Sequence, residues 1–352
     1  MGFHFSTSTQ QRSPLGVSFL LLTLATFAAC QQQPVVPPTP SPASSAWTFP
    51  ERKRCHRSFA EIPVDGAALH EPLLVETSGI VPSLKDPTLL WMHNDSGDAS
   101  RIYAVDVLGR SRLRVSFENA NFVDVEDIAA GPCPDQSGPC LFIADTGDNQ
   151  HDRTNAAIFI IPEPTVPPWI EGESSVDVVE ERLVSEYWRI PISFPNGEAV
   201  DVEALVALPN GEGVGLFEKV DGPQARVFQL QAPFLDDDNK APTERRVLSH
   251  VATVVSPGLA ALQYGRMITA ADLHPTTDEL VVRTYTGIFL FTLPQKDLAD
   301  LDGQEALVVT YGPASEAQGE AVCYDATGTG LWSISEDVEH KEGQPLHHYP
   351  CQ

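Results

Sequence analysis

Carboxylates crowd one stretch of this chain, where FVDVEDIAAG is followed by LFIADTGDNQHDR. Glu126 and Asp127 stand before the apolar Ile128, and Asp145, Asp148 and Asn149 follow the apolar run Leu141 to Ala144, with Gly147 supplying a turn. Grouped acids repel unless a cation, a basic side chain or bulk water sits among them. Carboxylates with an amide are also the oxygen donors that Ca²⁺ takes, so Asp127, Asp145, Asp148 and Asn149 are expected metal ligands and Glu126 an expected base.

These residues need a scaffold, and the sequence repeats one. Five units begin Ser78-Gly79-Ile80, Glu126-Asp127-Ile128, Glu203-Ala204-Leu205, Ala271-Asp272-Leu273 and Glu320-Ala321-Val322. Each continues into a second and a third apolar strand, and four of them add a fourth. The fifth runs out of chain. A four-stranded unit repeated in a ring is a β-propeller blade, and a last blade short of one strand borrows it from the other terminus. The expected fold is therefore an all-β, five-bladed β-propeller, with Glu71 to Glu76 (EPLLVE) as the N-terminal strand that closes the ring. Insertions around Thr165 to Glu181 and Leu235 to Arg245 leave a six-bladed ring as the alternative.

In a propeller the starts of the first strands and the loops after the second strands share one face. That face should gather Asn94, Asp95, Arg153, Glu203, Asp272, Glu320 and Glu336 as ligand-binding groups beside the expected metal. Lys219 and Arg283, with Glu126, would carry any catalysis, the two cations holding a phosphate or carboxylate of the ligand. The ligand expected is a small anionic or polyhydroxylated molecule, with phosphoester hydrolysis as the chemistry such a site supports. The opposing reading has every acid capping a neighbouring backbone or pairing with an Arg, in a non-catalytic propeller that binds an envelope protein. Asp95-Ser-Gly-Asp98 and Asp145-Thr-Gly-Asp148, read as equivalent loops, favour the first. No G-x-S-x-G elbow, H-E-x-x-H helix or phosphate-binding Gly-rich loop is present, so an activated serine is not indicated.

Residues 1–29 have the composition of a signal peptide, with an apolar segment Gly16 to Ala29 too short to span a bilayer. Phe27-Ala28-Ala29-Cys30 resembles a bacterial lipobox, which makes Cys30 the expected lipidation site; ordinary secretion with cleavage near Ala28 is the alternative. Residues 30–58 then read as a Pro/Ser/Gln-rich tether and 59–352 as the propeller, exported and attached to a membrane only through lipid. A formal charge of −26 excludes nucleic acid and anionic lipid surfaces as partners, and the domain is expected to be a monomer. Export permits disulfides: Cys133 with Cys140 around a short loop, and Cys55 with Cys351 where the ends of a ring meet, leaving Cys323 as a buried thiol.

SGIV, LWMHNDSGD, IYAVD, VDVEDIA, LFIADTGDN with Arg153, IFIIPEP, VDVEAL, TAADLHP, VVRTY, and QGEAV with ISED, in this order, resemble a family of exported bacterial β-propellers grouped loosely with phytase-like or esterase-like propellers. The resemblance runs from Leu73 to Asp337 and implies the fold and export without one settled substrate; Val125 departs from it, standing where the family carries an aromatic residue. Signature segments of the calcium-dependent, six-bladed phytases are absent, so phytate hydrolysis is an analogy of fold alone.

Overall fold

The computed structural model describes residues 62–168, 179–262, 264–311, 316, 318–336 and 344–350. The leader and tether, and with them Cys30, Cys55 and Cys351, lie outside the described residues.

The chain first forms β1 (Ile62–Ala68) and then the first blade, β2 (Thr77–Pro82), β3 (Leu89–Asn94), β4 (Arg101–Asp106) and β5 (Ser111–Phe117). The second blade starts with β6 (Val125–Pro132), β7 (Pro139–Asp145) and β8 (Ala157–Pro162). The chain then detours through β9 (Glu180–Val184), which pairs in parallel with β5, before β10 (Trp188–Ser193) returns to lie beside β8. The third repeats the detour: β11 (Val202–Ala207), β12 (Gly213–Glu218) and β13 (Gln224–Gln231) precede β14 (Arg246–Val247), which pairs in parallel with β10, and β15 (Ser249–Val255) completes the blade. The fourth blade is β16 (Ile268–Leu273), β17 (Glu279–Thr284), β18 (Gly287–Thr292) and β19 (Leu307–Thr310). The fifth is β20 (Gly319–Tyr324), β21 (Gly330–Ser335) and β22 (Pro345–Pro350), with β1 antiparallel to β22.

This is a five-bladed propeller, and the six-bladed alternative fails for a visible reason. Among the described residues the long insertions form no blade of their own; each leads into a strand that returns to the outer edge of the preceding blade. Glu71 to Glu76, expected as a strand, is instead a turn. Pro72 removes a ladder donor, the Glu71 carboxylate accepts from Leu73 N at 3.1 Å, and Asn94 Oδ1 accepts from Val75 N and Glu76 N at 3.0 Å each. Side chains thus take the backbone groups that a sheet would have used.

Inner strands β2, β6, β11, β16 and β20 adjoin one another in a closed circle. Strands flanked on both faces are apolar throughout, as in Leu141–Ala144, whereas the outer strand β5 alternates buried Leu113 and Val115 with partly exposed Arg112 and Arg114. Five apolar clusters fill the five gaps between neighbouring blades. The gap between blades one and two, for example, holds Trp91, Ile102, Leu141 and Phe159. Each such side chain contributes about 1.5–3 kcal/mol when fully buried, so every blade depends on both neighbours. The expected Cys133–Cys140 disulfide joins the residue that follows β6 to β7, with its Cα atoms 4.8 Å apart, and Cys323 is a buried free thiol. Among the described residues no helix is long and apolar enough to cross a membrane.

Candidate functional site: the acidic channel mouth

In all five blades the pairing of the inner strand skips one residue at the same place. The slips fall between Thr77 and Gly79, Val125 and Asp127, Val202 and Ala204, Ile268 and Ala270, and Gly319 and Ala321. A bulge frees its extra residue from the ladder and re-aims the side chain. The freed residues are Ser78, Glu126, Glu203, Thr269 and Glu320. Three are acids, and the two hydroxyls hold the ring together: Ser78 Oγ donates to Glu126 O at 2.7 Å and Thr269 Oγ1 to Gly319 O at 3.0 Å, each across to the next blade.

Two further sets of equivalent positions surround this one. The residues just before the inner strands are Glu76, Asp124, Asp201, Met267 and Gln318, and those just after the second strands are Asp95, Thr146, Lys219, Tyr285 and Glu336. Of the eight acids in these three sets, all but Glu76 act on one another at one end of the channel: Asp95, Asp124, Glu126, Asp201, Glu203, Glu320 and Glu336. Oxygens of Asp95, Asp124 and Glu126 lie within 4.8 Å of one another, as do those of Glu126, Asp201 and Glu203, so Glu126 belongs to both groups. Lys219 is the ammonium among them. It pairs with Glu203, reaches Asn149 Oδ1 at 3.5 Å and stands 5.7 Å from the centre of the Tyr285 ring. Gln318 Nε2 donates to Glu320 Oε1 at 2.9 Å and also to Glu336. Gly147 makes room for the cluster: a Cβ there would stand 1.8 Å from Glu126 Oε1 and 2.6 Å from Asp124 Oδ2.

Burial sets the electrostatics. It pushes the Asp95 carboxyl up to about 8, helped by the charge of Asp124, and pushes Glu320 to about 8. Glu126 and Glu203 are raised well above the carboxylate range, first by burial and then by neighbouring charge, Glu203 being the leading neighbour of Glu126. Burial opposes the Lys219 ammonium, but the Glu203 charge holds its proton in place. With one lysine among seven carboxyls, the cluster without a cation keeps protons that a bound cation would displace. Glu126 is 2% exposed, and beside it Asp95 Oδ1 is buried with no hydrogen-bond partner among the described residues. Buried polar groups are normally paired, so this donor set suits a hard cation, and the buried acidic clusters can hold a metal ion.

Other expected ligands sit elsewhere. Asp145 pairs with Arg153 and accepts from Val123 N at 3.2 Å and Asp124 N at 3.0 Å. Arg153 also donates to Gly147 O at 2.8 Å, so this pair fastens the loop beside the cluster. Asp148 Oδ1 accepts from Asp152 N at 3.0 Å and Arg153 N at 3.1 Å, again within the loop. Asp127 occupies the position held by Gly79, Ala204, Ala270 and Ala321 in the other blades. Its Oδ2 uses that space to accept from Leu205 N at 2.8 Å and Ala271 N at 3.4 Å, joining the second blade to the third and fourth. Asn94, not Asp95, is the equivalent of Asp145, because each faces the first residue of its inner strand and carries the two backbone N–H groups before it.

Arg283 and Asp272 are corrections. Arg283 is fully buried between the fourth and fifth blades, where Nη1 meets Glu316 at 3.1 Å and Ser333 Oγ at 2.8 Å. The backbone of Gly319 covers its guanidinium, so it faces no ligand in the channel. Asp272 lies at the far end of the channel, with Oδ2 accepting from Tyr324 N at 2.8 Å. The true counterpart of Glu126-Asp127-Ile128 in the fourth blade is Thr269-Ala270-Ala271, two residues earlier than the expected alignment.

Asp124 and Asp201 complete the cluster and were not among the expected site residues. Their signal is nevertheless in the chain: Val123-Asp124-Val125-Glu126 and Val200-Asp201-Val202-Glu203 are the same tetrapeptide, twice. Alternation in a strand would place each Asp and Glu pair on one face.

Fold and site together define a five-bladed β-propeller with a buried, metal-competent acidic channel mouth. No protein-family model matches the chain, and no curated protein matches it. Among solved structures it is similar to the hydrazine synthase of Kuenenia stuttgartiensis, at 12% identity and a TM-score of 0.38 over 77% of this chain and 71% of that one. That likeness is too distant to bear on chemistry.

Proposed function

We propose that this protein is an exported cell-envelope lipoprotein whose channel mouth binds a divalent cation, Ca²⁺, and through it a small anionic or polyhydroxylated ligand. The observation that carries this reading is Glu126, buried and shared by two acidic groups whose oxygens lie within 4.8 Å, one of which includes the unpartnered, buried Asp95 Oδ1. All-oxygen donors without His or Cys favour Ca²⁺ or Mg²⁺ over zinc, and the mixture of Asp and Glu from three blades suits the larger, less geometrically demanding ion. Excess carboxylate charge would keep the ion firmly held while leaving a coordination position for an anionic or hydroxyl oxygen.

Export is supported by the apolar segment Gly16 to Ala29 before Cys30 and by the Cys133–Cys140 disulfide, which persists in an oxidising compartment. Hydrolysis has less support than binding. Of the two cations expected to neutralise a phosphoester, Arg283 is sealed between blades and Lys219 is held by Glu203.

Thermal unfolding tests the reading. A ligand that binds only the folded state at about one hundred times its Kd stabilises by about 2.7 kcal/mol, so millimolar Ca²⁺ should raise Tm by several degrees over excess EDTA. The rise should vanish in Asp124→Asn/Glu126→Gln. No Ca²⁺-dependent shift in the folded wild-type protein would overturn the cation site and favour a non-catalytic, partner-binding propeller.

A further inference from the structure

The channel has a second end. The acidic mouth is built at the start of the inner strands; at their finish, Pro82, Pro132, Pro209 and Pro275 from four successive blades collar a cavity of about 430 Å³. Strands of six to eight residues separate the two ends by about 3.3 Å per residue, so the two sites are distinct. The volume falls in the range of small-molecule pockets. A proline collar supplies no N–H donors and little freedom to collapse, and Ala130, Ala207, Leu208 and Leu273 extend the apolar wall.

The polar lining comes from Lys296, Asp272, Ser83, Tyr324 and Asp325, and Lys296 is the one cation in it. Gln295 and Lys296 both adopt left-handed backbone angles, φ 56° and 57°, which cost non-glycine residues about 1–2 kcal/mol each. Strain of this kind collects where a side chain must be aimed. Lys296 Nζ donates to His274 O, which leaves ammonium donors over, and among the described residues no carboxylate lies within ion-pair distance of it. The nearby Asp325 is spent on its own turn, accepting from Thr327 N at 3.0 Å and Thr329 N at 2.9 Å. Asp272 accepts from Tyr324 N at 2.8 Å, and burial lifts its carboxyl to about 7, which reduces its charge near neutrality.

We propose that this second mouth binds a small monocarboxylate with an apolar body, its carboxylate held by the Lys296 ammonium and its body by the proline collar. An amine would meet the lysine with like charge, and a neutral alcohol would forgo the ion pair. This site does not depend on the cation reading of the acidic mouth.

Calorimetric titration of the full chain with 4-phenylbutyrate, 4-phenylbutanol and 4-phenylbutylamine tests it. In excess EDTA and again in Ca²⁺, the carboxylate should bind with a Kd of about a millimolar or tighter, at least about tenfold more tightly than the alcohol, and the amine should not bind. Lys296→Met, at a partly exposed position outside the blades, should weaken the carboxylate about tenfold or more, and Ala207→Phe should abolish binding by filling the collar. Equal affinities for the three probes, unchanged affinity in Lys296→Met, or no saturable binding by folded wild-type protein would each overturn the proposal. Should Ala207→Phe fail to fold, the Lys296→Met comparison decides alone. Any Ca²⁺-dependent Tm shift should persist in Lys296→Met, which separates failure here from failure at the acidic mouth.

Discussion

Glu126 has the most to gain from a cation, because it is buried and close to Glu203, Asp95 and Asp124. An acid whose folded-state pKa is raised keeps a proton that the unfolded chain releases. Its stabilising contribution is complete below the ordinary carboxylate value and is lost as pH rises through the folded-state value. With Asp95 and Glu320 each at about 8, the cation-free protein should lose stability between about pH 4 and pH 8. Urea midpoints in EDTA should therefore fall across that window, and Glu126→Gln should flatten the fall and gain on the order of 1 kcal/mol at pH 8. Arg153 gives the opposite outcome. Removing it as Arg153→Met strands the Asp145 carboxylate, 2% exposed, at a cost of about 3 kcal/mol, while the Ca²⁺ response remains. A lost Ca²⁺ response in that variant would instead make the Asp145 loop part of the cation site.

At the scale of the strand, the repeat was legible because blade strands sandwiched between neighbours are apolar and start on a recurring small or acidic residue. The acidic mouth was legible in outline: Asp95, Glu126, Glu203, Glu320 and Glu336 do meet there, with Lys219 among them. Register was not legible. A bulge is a relation between two strands, and Ala271-Asp272-Leu273 imitates Glu126-Asp127-Ile128 so well that the fourth blade was misaligned by two residues. Asp127 and Arg283 escaped for a different reason: their partners, Leu205 N and Glu316, lie far away in the chain and are set only by ring geometry. The β6–β7 hairpin offers a test at this scale. Its disulfide closes a short loop away from the acidic mouth, so Cys133→Ala/Cys140→Ala should cost about 2 kcal/mol, measured by urea unfolding, and leave the Ca²⁺ shift unchanged.

Over the whole molecule the outer edges are unequal. Strands β9 and β14 cover β5 and β10, whereas among the described residues β15 and β19 carry no further strand. Leu307 and Val308 on β19 are 57% and 52% exposed, so this edge is open and apolar. Amide hydrogen exchange should be slower at the outward-facing N–H groups of Leu113 to Phe117 than at those of β15 and β19. Comparable rates at all three edges would mean that β9 is too loosely held to act as a cover.

The same two detours bear on how such a ring can change over generations. If blades were self-contained cassettes, one could be duplicated, lost or exchanged and the circle reclosed. Here the segment that caps the first blade is encoded inside the second, and the one that caps the second is encoded inside the third. Excising either repeat would strip its upstream neighbour as well, and the fifth is tied to β1 at the other end of the chain, so the fourth is the one blade whose strands are consecutive and unshared.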